Sequence, residues 1–246
     1  MVSASEEIGL RSKGEIYKVF DRIAWRYDIA NTLLSFGRDR YWRRALVRRV
    51  GEYLRGRDDF ILLDLATGTG EVVREFRKNC GDGGVLVGVD MSEGMLYVAR
   101  GKWGELRGKN YILLVDGMEM GIGDNAVDAV TVAFGIRNVA DVRRALAEIW
   151  RVLDWGGVVG ILEFGLPRWG VWRFVYSLYL NNLLPLMGRV LTGDVSAYKY
   201  LRDTIRSFPS HEGFVELLGE AGFVDCRYEE FLGGAVLLYL AQKRRN

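Results

Sequence analysis

An α/β fold with an open, mostly parallel sheet is predicted by three features of the sequence. Short apolar runs alternate with helical patterns from Phe60 to Phe164, and the first four of these runs each stop at an acid or a glycine. Two last runs, near Phe223 to Phe231 and Ala235 to Ala241, are joined by the short Gly233-Gly234 link. Alternation places the strands in parallel, with functional groups at their carboxyl ends. The glycine link adds an antiparallel hairpin at one edge.

A chain of 246 residues suits one domain, 1–246, with room for an insertion. At this size roughly 70–75% of the unfolded chain's surface is buried on folding, so stability requires neither disulfide nor metal. The 34 basic and 32 acidic residues nearly balance, which argues against a chain-wide nucleic-acid footprint, and no nucleic-acid partner is expected. Cys80 and Cys226 fit no ligand spacing and point to a reducing, cytoplasmic setting, so no metal site is expected. His211, the single histidine, weakens the case for zinc and Ser-His-Asp chemistry and reads as a surface residue near a helix start.

Taken in order, residues 1–13 are polar, lack the apolar core of a signal segment and read as a frayed start. A helical region over about 14–56 follows. Ile16, Val19, Phe20 and Ile23 recur at helical spacing, and Asp39 to Leu54 carries an apolar stripe of Trp42, Ala45, Leu46, Val50, Tyr53 and Leu54. Arg38, Arg40, Arg43, Arg44, Arg48 and Arg49 form a basic face, either solvated or suited to an anionic membrane surface. Gly51 weakens this helix by about 1 kcal/mol relative to Ala.

Phe60 to Leu65 is the central strand, and Thr67-Gly68-Thr69-Gly70 turns it into a helix carrying Val72, Val73 and Phe76. Val85 to Asp90 is the second strand, and Ser92 caps the next helix. Tyr111 to Val115 and Asp128 to Phe134 are the third and fourth strands. Asp141 caps a helix that buries Val142, Ala145, Leu146, Ile149, Val152 and Leu153; a turn at Asp154 to Gly157 then leads into strand Val158 to Phe164. Residues of about 166–208 break the alternation. Within them Val171 to Met187 is rich in aromatic residues and leucine, but Arg173, Asn181, Asn182 and Pro185 argue against a membrane span. A helical lid over a pocket, or additional core, remains.

An acid-closed strand before a glycine turn lets backbone approach a ligand and offers the free N–H groups of a helix start. Asp90 closes the second strand, and an acceptor-only carboxylate suits the two hydroxyl donors of a ribose. A dinucleotide site requires a third glycine where Val73 stands, which disfavours a dehydrogenase. S-adenosylmethionine is the expected cofactor, with the glycine turn against its methionine part.

Longer segments carry a more specific signal. These are Val19-Phe20-Asp21-Arg22-Ile23-Ala24 with Tyr27-Asp28 and Asn31, Leu63 to Gly70, Phe134-Gly135-Ile136-Arg137-Asn138-Val139, Arg151-Val152-Leu153, Leu162-Glu163-Phe164, Tyr198-Lys199-Tyr200-Leu201 and Ile205-Arg206-Ser207-Phe208-Pro209. On these the chain, from about Val19 to Lys243, resembles the UbiE/MenG family of quinone-biosynthesis C-methyltransferases. The resemblance implies the Rossmann-like, seven-stranded sheet of class I S-adenosylmethionine-dependent methyltransferases. It also implies methyl transfer to a ring carbon of a polyprenylated quinol, either a demethylmenaquinol or a 2-polyprenyl-methoxy-benzoquinol. Carried over by position, the cofactor site takes Thr69 in the glycine turn, Asp90 on the ribose, and Asp116 with Gly117 near the adenine. Asp64, Gly68, Gly70 and Met91 complete that set, and Ala133 stands where the family has a serine. Two family histidines fall on Asp39 and Tyr239.

A quinol carbon becomes a good nucleophile when an adjacent hydroxyl loses its proton. Arg137 is expected to favour the phenolate as a fixed charge, and Asn138 to hydrogen-bond a ring oxygen. Because arginine stays protonated, the proton is expected to leave through water or a carboxylate, with Glu163 and Asp28 as the candidate carboxylates. The scaffold alternatives are Arg137 paired with Asp116 or Asp141, Asn138 capping a turn, and Glu163 holding backbone N–H groups. Tyr198 and Tyr200 are expected in the lid, with ordinary core as the alternative, and Arg206 is expected in an ion pair, with positioning of the acceptor as its alternative. A lipid-tailed acceptor requires peripheral contact with the cytoplasmic face of a membrane, and a homodimer is a further expected assembly. The competing functions are methylation of another small molecule and a non-catalytic cofactor-binding role.

Overall fold

The computed structural model describes residues 37–183 and 195–244, together with Thr32 and Ser35. Its elements in chain order are α1 (Asp39–Leu54), β1 (Ile61–Leu65), α2 (Glu71–Cys80), β2 (Val85–Asp90), α3 (Glu93–Trp103) and β3 (Lys109–Leu114). There follow β4 (Val127–Ala133), a 3-10 turn (Ile136–Asn138), α4 (Val142–Val152), β5 (Leu153–Phe164), α5 (Gly170–Leu178) with a π-helical turn (Tyr179–Leu183), α6 (Val195–Ser207), α7 (Glu212–Glu220), β6 (Val224–Phe231) and β7 (Val236–Gln242). The helix expected from Ile16 lies outside the described residues.

The seven strands form one sheet in the order β3-β2-β1-β4-β5-β7-β6. Pairs from β3 through β5 are parallel, and β7 runs antiparallel to both β5 and β6. Strand order reverses between β1 and β4, which makes their carboxyl ends the switch point at which open α/β sheets bind ligands.

Because successive side chains on a strand face opposite sides, each strand feeds two cores. Leu63, Val130, Val132, Val159 and Ile161 pack against Ala145, Leu146 and Ile149 of α4 and Phe214 and Leu218 of α7. Leu62, Leu86, Ala129, Val158 and Leu162 pack against Leu46 and Val50 of α1, Val73 and Phe76 of α2 and Ala99 of α3. Helix α1 runs through Gly51, where an added Cβ would lie 3.0 Å from Cys80 Sγ, so the glycine sits at the close approach of α1 to α2.

Four expectations are corrected. The basic face of α1 is smaller than the sequence implies: Arg43 is buried against Asp39 (Nη1 to Oδ2, 2.5 Å), and Arg49 pairs with Glu229 (2.6 Å). Burial of Arg43 follows from the apolar stripe, which is wide enough to take its stem inward. The expected turn at Asp154 to Gly157 is instead strand, because Gly156 N–H donates to Lys243 O (2.7 Å) and Lys243 N–H to Gly157 O (3.0 Å). The Lys243 ammonium group lies 4.0 Å from the Trp150 ring centroid and 4.8 Å from that of Trp155, and donates to Asn125 Oδ1. His211 is buried, not at the surface. Its backbone N–H donates to the Tyr239 hydroxyl (2.8 Å), and burial pushes its pKa down. Arg206 bonds the Asn181 amide oxygen (2.9 Å) in place of an acid.

Candidate active site

The glycine turn is held by carboxylates. Asp64, fully buried on β1, accepts from the hydroxyls of Thr67 (2.6 Å) and Thr131 (2.7 Å). Burial outweighs these bonds and pushes its pKa up to about 6. Both its oxygens thus serve the turn and the neighbouring strand β4. At the end of β2, Asp90 accepts from Gly68 N–H (Oδ2, 2.8 Å) and Ser92 N–H (Oδ1, 2.9 Å). An acceptor-only carboxylate at this strand end suits the two hydroxyl donors of a diol.

Gly70 closes the turn in the left-handed region (φ 79°) and caps α2. A side chain there would collide with the Trp103 indole, 2.1 Å from an added Cβ, and the same indole leaves no room for a Cβ at Gly88. The Trp103 Nε1–H donates to Gly70 O (3.2 Å). Past β3, Asp116 Oδ1 accepts from Met118 N–H (2.8 Å), and Gly117 fits against Leu65, where a Cβ would lie 2.8 Å from Cδ1. Thr69 is buried within the turn, Met91 is exposed beyond β2, and Ala133 ends β4 half-buried. All the sequence-derived cofactor residues therefore meet along one edge of the sheet. Acceptor carboxylates, backbone approach at glycines and the N-terminus of α2 suit the ribose, adenine and methionine parts of S-adenosylmethionine.

Across the switch point the chemistry changes. Ala66 (φ 52°) and Phe134 (φ 59°) end β1 and β4 in the left-handed region, a strained backbone on either side of the cleft. Phe134 leads into the 3-10 turn, which carries Arg137 and Asn138. Arg137 is buried and pairs with Glu163 of β5 (Nη1 to Oε1, 2.5 Å), not with Asp116 or Asp141. The same Nη1 donates to Phe134 O (2.7 Å). Glu163 also accepts from the backbone N–H of Phe164 (2.9 Å) and of Arg137 (3.3 Å). Burial pushes the Glu163 pKa up, against the pull of Arg137. Asn138 Nδ2 reaches Phe134 O at 3.4 Å.

Aromatic rings enclose this pair. The Phe164 ring stacks on Phe134 (4.4 Å) and lies 5.2 Å from the Arg137 guanidinium. Phe164, Tyr176, Tyr179 and Leu201 pack about Leu180 and Ile205, so α5 and α6 meet over the carboxyl end of β5. Tyr176 and Tyr200 both feel the charges of Arg137 and Glu163, and burial raises their pKa values, which keeps both hydroxyls protonated. The side chains of Tyr198 and Lys199, and all of Asp28, lie outside the described residues.

Sequence reasoning missed three contributors. Thr131 gave a usable signal, a polar residue in the middle of a buried apolar strand. Trp103 and Tyr176 gave none, because the indole's bond to the glycine turn and the packing of Tyr176 beside Phe164 depend on tertiary structure.

The strand order, the antiparallel seventh strand and the acid-held glycine turn at the switch point together define a class I S-adenosylmethionine-dependent methyltransferase. A sequence profile of the ubiE/COQ5 methyltransferase family matches residues 8–243. The chain belongs to that family and is an S-adenosylmethionine-dependent C-methyltransferase. It is 40% identical over 237 residues to a ubiquinone/menaquinone biosynthesis C-methyltransferase of Geobacter sulfurreducens, covering 95% of this chain and 91% of the relative. It is 39% identical over 226 residues to a demethylmenaquinone methyltransferase of Thermus thermophilus, covering 92% and 100%. Among solved structures, an S-adenosylmethionine-dependent methyltransferase of Thermotoga maritima shares the fold with a TM-score of 0.63 at 19% identity, covering 93% and 100%.

Proposed function

We propose that this chain methylates a ring carbon of a polyprenylated quinol, a demethylmenaquinol or a 2-polyprenyl-methoxy-benzoquinol, in quinone biosynthesis. The observation that carries this reading is the buried Arg137–Glu163 pair at the ends of β4 and β5, enclosed by aromatic rings that suit a flat, apolar ring. The names of the Geobacter and Thermus relatives support the same substrate class.

The cofactor supplies a methyl group on a sulfonium, activated for in-line transfer. The protein's task is to make the ring carbon nucleophilic. Arg137, charged and fixed by Glu163 and Phe134 O, stabilises negative charge on the ring oxygen beside that carbon. The Glu163 carboxylate, paired with Arg137 and raised in proton affinity by burial, takes up a proton released from the ring. Asn138 hydrogen-bonds a ring oxygen and sets the ring's orientation. On the cofactor side Asp90 holds the ribose, Asp116 and Gly117 border the adenine with Met91 and Ala133, and Gly68, Thr69 and Gly70 face the methionine part. Asp64 acts one layer behind, by holding Thr67.

A lipid tail requires contact with a bilayer. No helix among the described residues is long and apolar enough to cross one. The start of α5 instead exposes Trp169 (75%) at its N-cap and Val171 (82%) and Phe174 (65%) within it, around Arg173, a face suited to peripheral docking. Retention by vesicles that a carbonate wash reverses is the expected result; retention that survives the wash counts against it.

The deciding experiment is transfer of labelled methyl from S-adenosylmethionine to chemically reduced demethylmenaquinol, a methoxy-benzoquinol, a tailless quinol and RNA. Label on a ring carbon of a tailed quinol is expected. Cofactor binding with no label on any quinol would overturn the acceptor assignment.

A further inference from the structure

Among the buried polar side-chain atoms of the described residues, three without a hydrogen-bond partner lie around one turn. They are Arg137 Nε, Asn138 Oδ1 and the Tyr200 hydroxyl. Buried polar atoms in a folded protein are nearly always paired, so three orphans together mark a place where a ligand supplies the partners. Arg137 and Asn138 are consecutive, and their side chains both reach Phe134 O. Helix α6, which carries Tyr200, packs on the same turn, and the Tyr200 hydroxyl feels the charges of Arg137 and Glu163. The orientation of the Asn138 amide is fixed by its contact with Phe134 O, because the opposite orientation would set two carbonyl oxygens against each other. Asn138 Oδ1 is therefore an acceptor, whereas Arg137 Nε–H and the protonated Tyr200 hydroxyl are donors.

We propose that these three groups make the site read the oxidation state of the acceptor ring, with Asn138 Oδ1 as the discriminating atom and Tyr200 as a substrate-binding hydroxyl. A quinol carries O–H groups that donate as well as accept. A quinone carries two carbonyl oxygens that only accept. Arg137 Nε–H and Tyr200 O–H bind a ring oxygen in either form. Asn138 Oδ1 is satisfied only by an O–H, so a quinone leaves it buried and unpaired. A site built around a ligand hydroxyl rejects analogues that lack the donor far more strongly than an apolar pocket rejects a change of shape. The selection is functional, because only the reduced ring has the electron-rich carbon that accepts a methyl group. The inference rests on the quinol reading above and adds to it the atoms that separate quinol from quinone.

The test is equilibrium binding under anaerobic conditions, with S-adenosylhomocysteine present, of the quinol and quinone forms of one short-tailed naphthoquinone. The wild-type protein is expected to bind the quinol about tenfold or more tightly than the quinone, the cost of one unpaired buried acceptor. Asn138→Leu is expected to bring that ratio to about one. Tyr200→Phe is expected to weaken both forms to a similar extent, about 5- to 10-fold, and to keep the ratio. Affinity for S-adenosylhomocysteine, held at the other end of the cleft, reports whether each variant is folded, and Asn138→Ala replaces Asn138→Leu if the latter loses it. A wild-type ratio near one, or a ratio unchanged in the Asn138 variant, overturns the inference while quinol methylation by the wild-type protein leaves the proposed function intact. Failure of the wild-type protein to methylate any quinol removes both.

Discussion

The two halves of the cleft are built on different principles. On the β1–β2 side, the groups that hold the glycine turn are satisfied within the protein: Asp64 by two threonine hydroxyls, Asp90 by two backbone N–H groups and Gly70 O by an indole. On the β4–β5 side, a buried ion pair sits among aromatic rings with three polar atoms unpartnered. The first half is a finished cradle that a ligand enters. The second is completed by its ligand, and so depends more steeply on which ligand arrives.

Removing one member of the ion pair tests that contrast most severely. Arg137→Ala is expected to lower stability by about 3–5 kcal/mol in urea unfolding, because Glu163 is left as an unpaired buried charge, and to abolish methyl transfer. Adding Glu163→Gln is expected to recover most of the stability and none of the transfer. Recovery of activity would show that the pair is scaffold alone.

On the opposite side, Asp90→Ala removes two loop anchors and the carboxylate proposed to accept from a diol. Cofactor affinity measured by calorimetry is expected to fall about 10- to 100-fold, with the quinol-to-quinone binding ratio unaltered. A change in that ratio would mean that the halves are not independent.

Asp64 sharpens the comparison through pH. Its pKa is about 6 in the folded protein, against about 3.9 for an aspartate in an unfolded chain, so the folded state binds the proton more tightly than the unfolded chain. Stability is therefore lost as pH rises from about 4 to about 6, by about 2–3 kcal/mol for this one group. Thermal unfolding across that range is expected to show a shallower slope in Asp64→Asn than in the wild-type protein. The smallest effect is expected for Trp103→Phe, which removes one hydrogen bond to the glycine turn and costs about 1 kcal/mol in urea.

The cradle was more legible in the sequence than the acceptor half. Asp64, Asp90 and Asp116 each break or close an apolar run with a glycine within four residues, and such contrasts survive without coordinates. Arg137 and Glu163 were visible as candidates, but their pairing depends on β4 and β5 lying side by side, with Ala133 opposite Leu162. Asp116 and Asp141 are nearer Arg137 in sequence, and that proximity misled. His211 was misplaced for a related reason: its polarity suggested solvent, while its burial comes from β6 and β7, which supply Tyr228 and Tyr239. Local chemistry is written locally; partners contributed by other strands are not.

The position of β7 bears on how the molecule is made. It is the last of the seven strands in sequence, yet it lies inside the sheet with β5 on one side and β6 on the other. During synthesis β5 has an open edge and β6 has no neighbour until residues 236–242 leave the ribosome. The chain between β5 and β6 must leave a slot between these two strands for the final strand. Sheet closure is thus a late event in the life of each chain, and a nascent chain stalled before Val236 presents a bare strand edge of the kind on which aggregation begins.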